Sequence, residues 1–291
     1  MARYHAAAAA DLGCKISAAM ASDVHSKNWQ EWPYQSRKCA TVKEVSENSD
    51  KIVVAVAWGQ NVFLSRYALA NKPGNCLLEK PVALKSSEVP THAEALVGFN
   101  RRFYKPVQRL KERGTDGLVA VRCVVSEWIN HHIATTGHDV IPHLLEFTSC
   151  HTFDLLLYLL GNDWSIESMD RHHKGLHLNG MVRFGDVPVW LSVNENDPQP
   201  IGLWFQYDDG ETWVLSPLEV LNIYKGIEVR SLGNQRSFHP KLLETIEVDR
   251  EYKPGIWEQM RAFVNGEKAI GASMEDQRNT LIFIENIKGL A

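Results

Sequence analysis

The sequence predicts two domains: an α/β domain with a parallel, doubly wound sheet over residues 1–100, and an α+β domain with an open, mostly antiparallel sheet over residues 101–291. Three observations predict this fold class. Helix-like and strand-like segments alternate through the first third of the chain. Residues 51–58 (KIVVAVAW) are apolar on both faces, as in a parallel strand covered on both sides. From residue 177 onwards, alternating segments separated by turn residues are typical of antiparallel strands.

The predicted elements of the first domain follow from its composition. An Ala-rich segment is ended by Gly13, and Thr41 stands where a helix N-cap is expected. In chain order we predict a helix over 3–12, a short apolar strand-like run over 15–21, a helix over 41–47, a strand over 51–58, a helix over 62–70 and a strand over 75–78.

The pattern changes after Gly98, and the second domain begins near residue 100. We predict a helix over 103–113, a long alternating strand over 119–128 and a helix over 142–160. Strands are predicted over 177–184, 187–193, 201–207, 212–216 and 226–231, followed by closing helices over 257–264 and 274–287.

Composition and charge exclude several classes of protein. Hydrophobic residues make up 44% and charged residues 23%, which is ordinary for a globular protein and excludes a disordered chain. A net charge of −4 without a basic stripe argues against nucleic-acid binding. The longest apolar runs, 52–58 and 155–160, are too short for a membrane helix, and the weak Ala run predicts no signal peptide. The five widely spaced cysteines include no CxxC pair, so we expect free thiols and a cytoplasmic location.

Two positions carry candidate chemistry. Glu79-Lys80-Pro81 follows the strand over 75–78, and ligands of open α/β sheets bind beyond the carboxyl ends of strands. His151 lies in the apolar segment before Gly161, with Asp154 three residues on and on the same helical face. Each has a structural alternative, because a lysine at a strand end is often only solvated and a histidine on an apolar helix is often a core residue.

Several blocks together resemble the Gfo/Idh/MocA family of nicotinamide-dependent sugar oxidoreductases. RYHAAAAADLG is similar to the family's first helix and VVAVAWG to its fourth strand. ALANKPGNCLLEKPVAL and LVGFNRRFYKPV resemble its "EKP" and "GFNRRF" blocks, which are fairly specific at this spacing. HTFDLLLYLLG resembles the "H-x-x-D…LLG" block of its catalytic helix, and MEDQRNTLIFIENI fits its terminal helix. The likeness spans nearly the whole chain and implies a Rossmann-like first domain.

The resemblance implies a reaction and a cofactor. His151 would be the general base for a sugar hydroxyl, and Lys80 would hydrogen-bond the reacting oxygen while hydride passes to the nicotinamide. Asp23 would bind the adenosine ribose, an arrangement that favours NAD although NADP stays possible. The implied cofactor-binding residues are Asp23, Trp58, Glu79, Lys80 and Pro81, and the implied substrate contacts are His138, Asp139, Asp154 and Arg102.

The chain departs from the family at its beginning. The family starts with a strand and a G-x-G-x-x-G loop that holds the pyrophosphate, whereas no glycine precedes Gly13 here. The missing strand would lie between the segments 15–21 and 51–58. Three explanations stay open: a clipped chain, direct pairing of those two segments, or a protein that has abandoned the dinucleotide and binds no cofactor.

Two further departures concern single positions. Family members often carry an acid four residues before the catalytic histidine, where this chain has Phe147; Glu146 is one residue off, and on an α-helix it would point elsewhere. Phe63 stands where members often have a histidine after the fourth strand.

We predict no metal site. His131, His132 and His138 form one histidine group and His172, His173 and His177 another, but neither has the ligand geometry of a zinc site. The broad sheet of the second domain is expected to pair subunits in a homodimer or homotetramer. Its aromatic residues are Trp190, Trp204, Phe205, Tyr207 and Trp213.

The leading functional hypothesis is an NAD(P)-dependent oxidoreductase acting on a sugar or sugar derivative. Within enzymes, an NAD-dependent glycosidase or epimerase is the alternative. Outside redox chemistry, the alternative is a non-redox enzyme or partner protein of the same fold that has lost dinucleotide binding. The absent glycine-rich loop favours this last hypothesis, whereas Lys80, His151 and Asp23 oppose it.

Overall fold

The computed structural model describes residues 1–21, 23–90, 93–172, 176–233, 235–249, 251–267 and 269–289. Over these residues the α-helices are α1 Ala2–Asp11, α2 Lys27–Gln30, α3 Val42–Glu47, α4 Trp58–Asn71, α5 Lys105–Arg113, α6 Ile129–Thr136, α7 Cys150–Leu160, α8 Ile256–Asn265 and α9 Met274–Lys288. The strands are β1 Ala18–Ala19, β2 Arg37–Lys38, β3 Ile52–Val54, β4 Cys76–Leu78, β5 Leu96–Val97, β6 Leu118–Glu127, β7 Trp164–His172, β8 His177–Phe184, β9 Val187–Glu195, β10 Gly202–Tyr207, β11 Glu211–Leu215, β12 Val220–Leu232 and β13 Gln235–Glu247.

The chain divides into two compact units. Unit 1 comprises Met1–Phe103, Leu145–Cys150 and Arg250–Glu285, and unit 2 comprises Tyr104–Leu144, His151–Asp249 and Asn286–Ala291. The chain therefore first leaves unit 1 after Phe103, and α8 with most of α9 returns to it. The sequence pattern near residue 100 marks only the first of these crossings.

Unit 1 contains two separate parallel sheets. Strands β3, β4 and β5 form one sheet, and β1 pairs with β2 in the other. Within the described part of unit 1, β1 and β3 do not pair with each other, so of the three explanations left open, direct pairing of these two segments is wrong.

The local predictions for unit 1 are confirmed in type more often than in length. Helix α1 forms where the Ala-rich run predicts it, and Thr41 caps α3 by accepting a hydrogen bond from the Glu44 N–H at 3.2 Å. The strand predicted over 51–58 is shorter, because β3 ends at Val54 and α4 begins at Trp58.

The core of unit 1 lies between α1, α8 and the three-stranded sheet. Its buried cluster joins α1 and α8 to β4, and partly buried apolar residues surround it. The buried members are Ala8, Ala9, Leu77, Ile256, Met260 and Phe263.

Unit 2 contains one mixed sheet of the described strands in the order β13-β12-β11-β10-β6-β9-β8-β7. Its neighbours pair antiparallel except for β6 and β9, which run parallel with Val121 opposite Val189. The predicted fold class is therefore confirmed. Strands β7 and β13 escaped prediction because both are largely exposed and lack the apolar alternation that marks a half-buried strand.

The helix predicted over 142–160 is a composite. A 3-10 turn spans His138–His143, a π turn spans Leu145–Ser149, and α-helical geometry begins only at Cys150. A π turn closes hydrogen bonds over five residues instead of four, so α-helical spacing does not give the direction of the buried Glu146 side chain. The prediction that Glu146 points elsewhere rests on α-helical spacing, which does not apply within this turn. Over the described residues, none of the helices has both the length and the apolar character needed to cross a membrane.

Candidate functional site

The segment after β4 is held by a buried asparagine. Asn61 of α4 is almost fully buried, and its Nδ2 donates hydrogen bonds to the Glu79 carbonyl at 2.5 Å and the Pro81 carbonyl at 2.9 Å. These two bonds flank Lys80 on both sides. The main chain beneath the lysine is thereby fixed, as a side chain acting on a substrate requires.

The Lys80 ammonium faces the π turn of unit 1. Its Nζ donates to the Phe147 carbonyl and lies 4.9 Å from the centre of the Phe147 ring. The Trp58 ring is 5.9 Å from the same phenyl ring. The structure thus brings together Lys80 and Trp58, two of the residues predicted to bind the cofactor, around the residue that replaces the family's acid.

Glu79 has a partner that sequence reasoning missed. His5 of α1 places its Nε2 2.7 Å from Glu79 Oε1, and both side chains are buried, with relative exposures of 1% and 7%. The His5 Nδ1 is also buried and has no hydrogen-bond partner among the described residues. The sequence offers one signal for this pairing, which is a single histidine within an otherwise Ala-rich helix. The pair turns the Glu79 carboxylate toward α1.

Lys253 lies in the electrostatic environment of Glu79, Lys80 and Arg101. The pKa of Lys253 lies below its ordinary value because partial burial disfavours its ammonium form. Glu79 opposes this shift, while the charges of Lys80 and Arg101 add to it. The Lys253 Nζ lies 5.5 Å from the ring centre of Tyr4, in the first turn of α1. Three cations therefore act near one carboxylate, an arrangement that favours a bound anion.

Two predicted residues of unit 1 have different environments. Asp23 is exposed beyond the end of β1, and its Oδ1 accepts the His25 N–H at 2.8 Å. Arg102 is buried, and its Nη2 lies 3.1 Å from the Asp276 Oδ1. Burial alone would raise the pKa of Asp276. The charge of Arg102 and hydrogen bonds from Ser273 outweigh this effect, so the pKa of Asp276 lies below its ordinary value. Arg102 is thus engaged inside unit 1, which argues against its predicted contact with substrate.

In unit 2, His151 and Asp154 both lie in α7 and are buried. His138 and Asp139 are exposed in the 3-10 turn. The structure therefore gives the predicted substrate residues of this unit two distinct environments. The assignment of His151 as a base stays a prediction.

A second carboxylate–imidazole pair lies in unit 2. Glu127, at the end of β6, is buried, and its Oε2 lies 2.8 Å from the His132 Nε2 of α6. His132 belongs to the first histidine group of the sequence, for which no metal site is predicted. The sequence pattern does not reveal its acidic partner. Across the described residues, no group of three histidines, cysteines or acids could hold a metal ion. His173, which belonged to the second histidine group, lies outside the described residues.

Two of the residues predicted to bind the cofactor follow strands of unit 1. Asp23 offers an exposed carboxylate after β1, and Lys80 offers a fixed ammonium after β4, the strand ends at which such ligands bind. The cations near Glu79 that suit a pyrophosphate are Lys253 and Arg101.

The fold has close counterparts among solved structures. UDP-N-acetylglucosamine 3-dehydrogenase GnnA from Acidithiobacillus ferrooxidans matches with a TM-score of 0.73 and 13% identity, over 99% of this chain and 93% of that chain. An oxidoreductase from Agrobacterium radiobacter in complex with NAD+, L-tartaric acid and magnesium matches with a TM-score of 0.68 and 16% identity, over 100% and 93%. A super-repressor mutant of Gal80p from Saccharomyces cerevisiae matches with a TM-score of 0.68 and 14% identity, over 99% and 91%.

No family model and no curated protein matches the sequence. At these identities the structural likeness shows the fold alone. That fold is the two-domain, Rossmann-like architecture that the resemblance to the Gfo/Idh/MocA family implies.

Proposed function

We propose that this protein is an NAD(P)-dependent oxidoreductase acting on a sugar or sugar derivative. The observation that carries the proposal is Lys80, which follows β4 on a main chain held by two Asn61 hydrogen bonds, since open α/β sheets bind ligands beyond the carboxyl ends of their strands. The charges of Lys253 and Arg101 act near Glu79 and suit a phosphate-bearing ligand. Both a dinucleotide and a nucleotide sugar carry such phosphates.

The cofactor is held by residues of unit 1. Asp23 accepts hydrogen bonds from the adenosine ribose hydroxyls, and its charge disfavours the extra phosphate of NADP. Lys253 and Arg101 attract the pyrophosphate. When bound, the nicotinamide ring supplies the hydride acceptor.

The chain's own residues handle the proton and the oxygen. Lys80 releases the Phe147 carbonyl and donates instead to the reacting oxygen, whose developing negative charge its ammonium stabilises. His151 takes the hydroxyl proton, and Asp154 on the same helix orients its ring. Each role is worth on the order of 10²–10⁴ in rate.

The comparison with solved structures suggests a nucleotide sugar as the substrate class. The structural neighbour GnnA is by name a UDP-N-acetylglucosamine 3-dehydrogenase, and its substrate combines a sugar with a pyrophosphate. UDP-N-acetylglucosamine is therefore the first substrate to test here.

A titration with NADH, followed by its fluorescence, tests cofactor binding. We expect saturable binding that Lys253→Met and Asp23→Ala each weaken about tenfold, the effect of losing one charged contact of about 1.4 kcal/mol. The exposed Lys85 is the matched control, and Lys85→Ala is expected to bind like the wild type. A folded protein that shows no saturable NADH binding contradicts the proposal.

A second candidate is a non-redox protein of the same fold. One structural neighbour is a repressor mutant by name, which favours this candidate. This candidate predicts that UDP-N-acetylglucosamine binds, measured by calorimetry, while NADH does not.

A further inference from the structure

Strands β12 and β13 continue past the end of their neighbour β11 as a two-stranded arm. Strand β11 begins at Glu211, which stands opposite Lys225 of β12. Beyond that point, among the described strands, β12 pairs with β13 alone, in six residue pairs that begin with Ile227 opposite Pro240. At about 3.4 Å per residue the arm extends roughly 20 Å.

One face of the arm is polar and hydrogen-bonded within itself. Alternation along the strand places Glu228 and Arg230 of β12 on this face. Their direct partners on β13 are His239 and Ser237. The Arg230 Nε lies 3.1 Å from the Glu228 Oε1, and the His239 Nε2 lies 2.9 Å from the Ser237 Oγ. These groups suit contact with water.

The other face of the arm is apolar and exposed. Its side chains are those of Ile227, Val229, Phe238, Pro240 and Leu242, which we call the apolar arm face. The exposed fractions are 67% for Ile227, 52% for Val229, 67% for Phe238 and 49% for Leu242. A hairpin of only two strands is marginally stable in water, so covering this face stabilises the arm.

The apolar arm face is continuous with one face of the sheet of unit 2. Tyr224 stands opposite Leu242, and the register through β11 places Trp204 of β10 on the same face as Tyr224. The register through β6 adds the exposed Trp190 of β9 to that face. We call this surface the Trp190 face.

We propose that the apolar arm face packs against the Trp190 face of a second copy of this chain. The exposed fractions leave roughly 400 Å² of apolar side-chain surface on the arm. A stable interface buries about 800 Å² on each partner, so the arm supplies about half, and the continuous Trp190 face is available for the rest. When two such faces pair about a two-fold axis, each arm extends past its own sheet onto the other subunit.

The charge of the arm favours a second copy as its partner. Residues 225–241 contain four lysines or arginines and one glutamate, a net charge of +3, whereas the whole chain has −4. The residues outside the arm therefore carry −7. A cationic arm is attracted to the acidic remainder of another copy, and its apolar face has no ionisable side chain that the contact would bury.

Analytical ultracentrifugation of the full chain tests the proposal. We expect the wild type to self-associate, and Phe238→Asp to raise the dissociation constant at least about a hundredfold, because the two-fold axis places the lost side chain in the interface twice. Ser237→Asp is the matched control, since it adds the same charge to the polar face and should associate like the wild type. Both residues are exposed, so neither change opens a cavity.

Hydrogen exchange locates the contact on the molecule. Above the dissociation constant we expect amides of residues 227–231 and 236–239 to exchange at least about tenfold more slowly than in Phe238→Asp. Dilution of the wild type below the dissociation constant should remove this protection. Amides of α8 in unit 1 should exchange alike in all samples. None of these readouts involves NADH or turnover.

Four results would overturn the proposal. The wild type could stay monomeric at every concentration, or Phe238→Asp and Ser237→Asp could weaken association equally. Association lost in Trp190→Asp but intact in Phe238→Asp would leave the arm outside the interface. A monomer that sediments with phosphatidylglycerol vesicles through Phe238 would assign the apolar arm face to a membrane surface. Association lost in Phe238→Asp and kept in Ser237→Asp supports the proposal.

Discussion

The buried pair of His5 and Glu79 yields the sharpest stability prediction. The two side chains are in hydrogen-bond contact at 2.7 Å and nearly excluded from water. Replacing His5 by leucine removes the contact and leaves a carboxylate inside unit 1. A lost hydrogen bond to a charged group costs about 1.5–3 kcal/mol, and breaking a buried ion pair about 3–5 kcal/mol. Because Lys253 still faces Glu79, we expect His5→Leu to lower the free energy of unfolding by about 2–4 kcal/mol.

A double-mutant cycle measured by urea unfolding separates this contact from general disruption of α1. His5→Leu combined with Glu79→Met removes both polar partners, so the double variant should lose less stability than the sum of the single ones, with a coupling of about 1–3 kcal/mol. His5→Gln, which keeps a donor, is the conservative control. Strictly additive effects would refute the reasoning, because they would mean that the two side chains do not interact in solution.

Three further predictions concern other contacts. Because the pKa of Asp276 is lowered, its pair with Arg102 stabilises the protein fully above the ordinary carboxyl pKa, and this stabilisation is lost as the pH falls below that value. The difference in melting temperature between the wild type and Asp276→Asn should therefore shrink in acid. A difference that does not depend on pH would contradict this. Asn61→Ala leaves two carbonyls beside Lys80 without a donor and should cost about 1–3 kcal/mol in urea unfolding, whereas an unchanged midpoint would show that water replaces the amide. We also propose that subunits pair through the sheet of unit 2, where Trp190 is exposed. In analytical ultracentrifugation we expect the wild type to be a dimer or tetramer and Trp190→Asp to be a monomer. A monomeric wild type would exclude this pairing.

Much of the fold was accessible from local sequence signals. Helix α1 follows from its alanines, and the Thr41 cap forms as its residue type predicts. Strand β13 was inaccessible because its pairing with β12 depends on main-chain hydrogen bonds rather than on a buried face. The π turn over Leu145–Ser149 likewise leaves no pattern in the apolar spacing.

The candidate site was predicted in part. The position of Lys80 after a strand is a local feature, and the strand is there. Its fixation by Asn61 and the pairing of Glu79 with His5 depend on residues 18 to 74 positions apart, which no local pattern reports.

The central claim is that Lys80 acts on a sugar oxygen while hydride leaves for a nicotinamide. Its most direct test is the formation of NADH, followed by absorbance, when the protein is mixed with NAD+ and UDP-N-acetylglucosamine or a panel of other sugars. We predict that wild type and Lys85→Ala produce NADH at equal rates from at least one of these substrates, and that Lys80→Ala is slower by on the order of 10²–10³. An undiminished rate in Lys80→Ala, or no NADH from any of them with folded wild-type protein, would contradict the account.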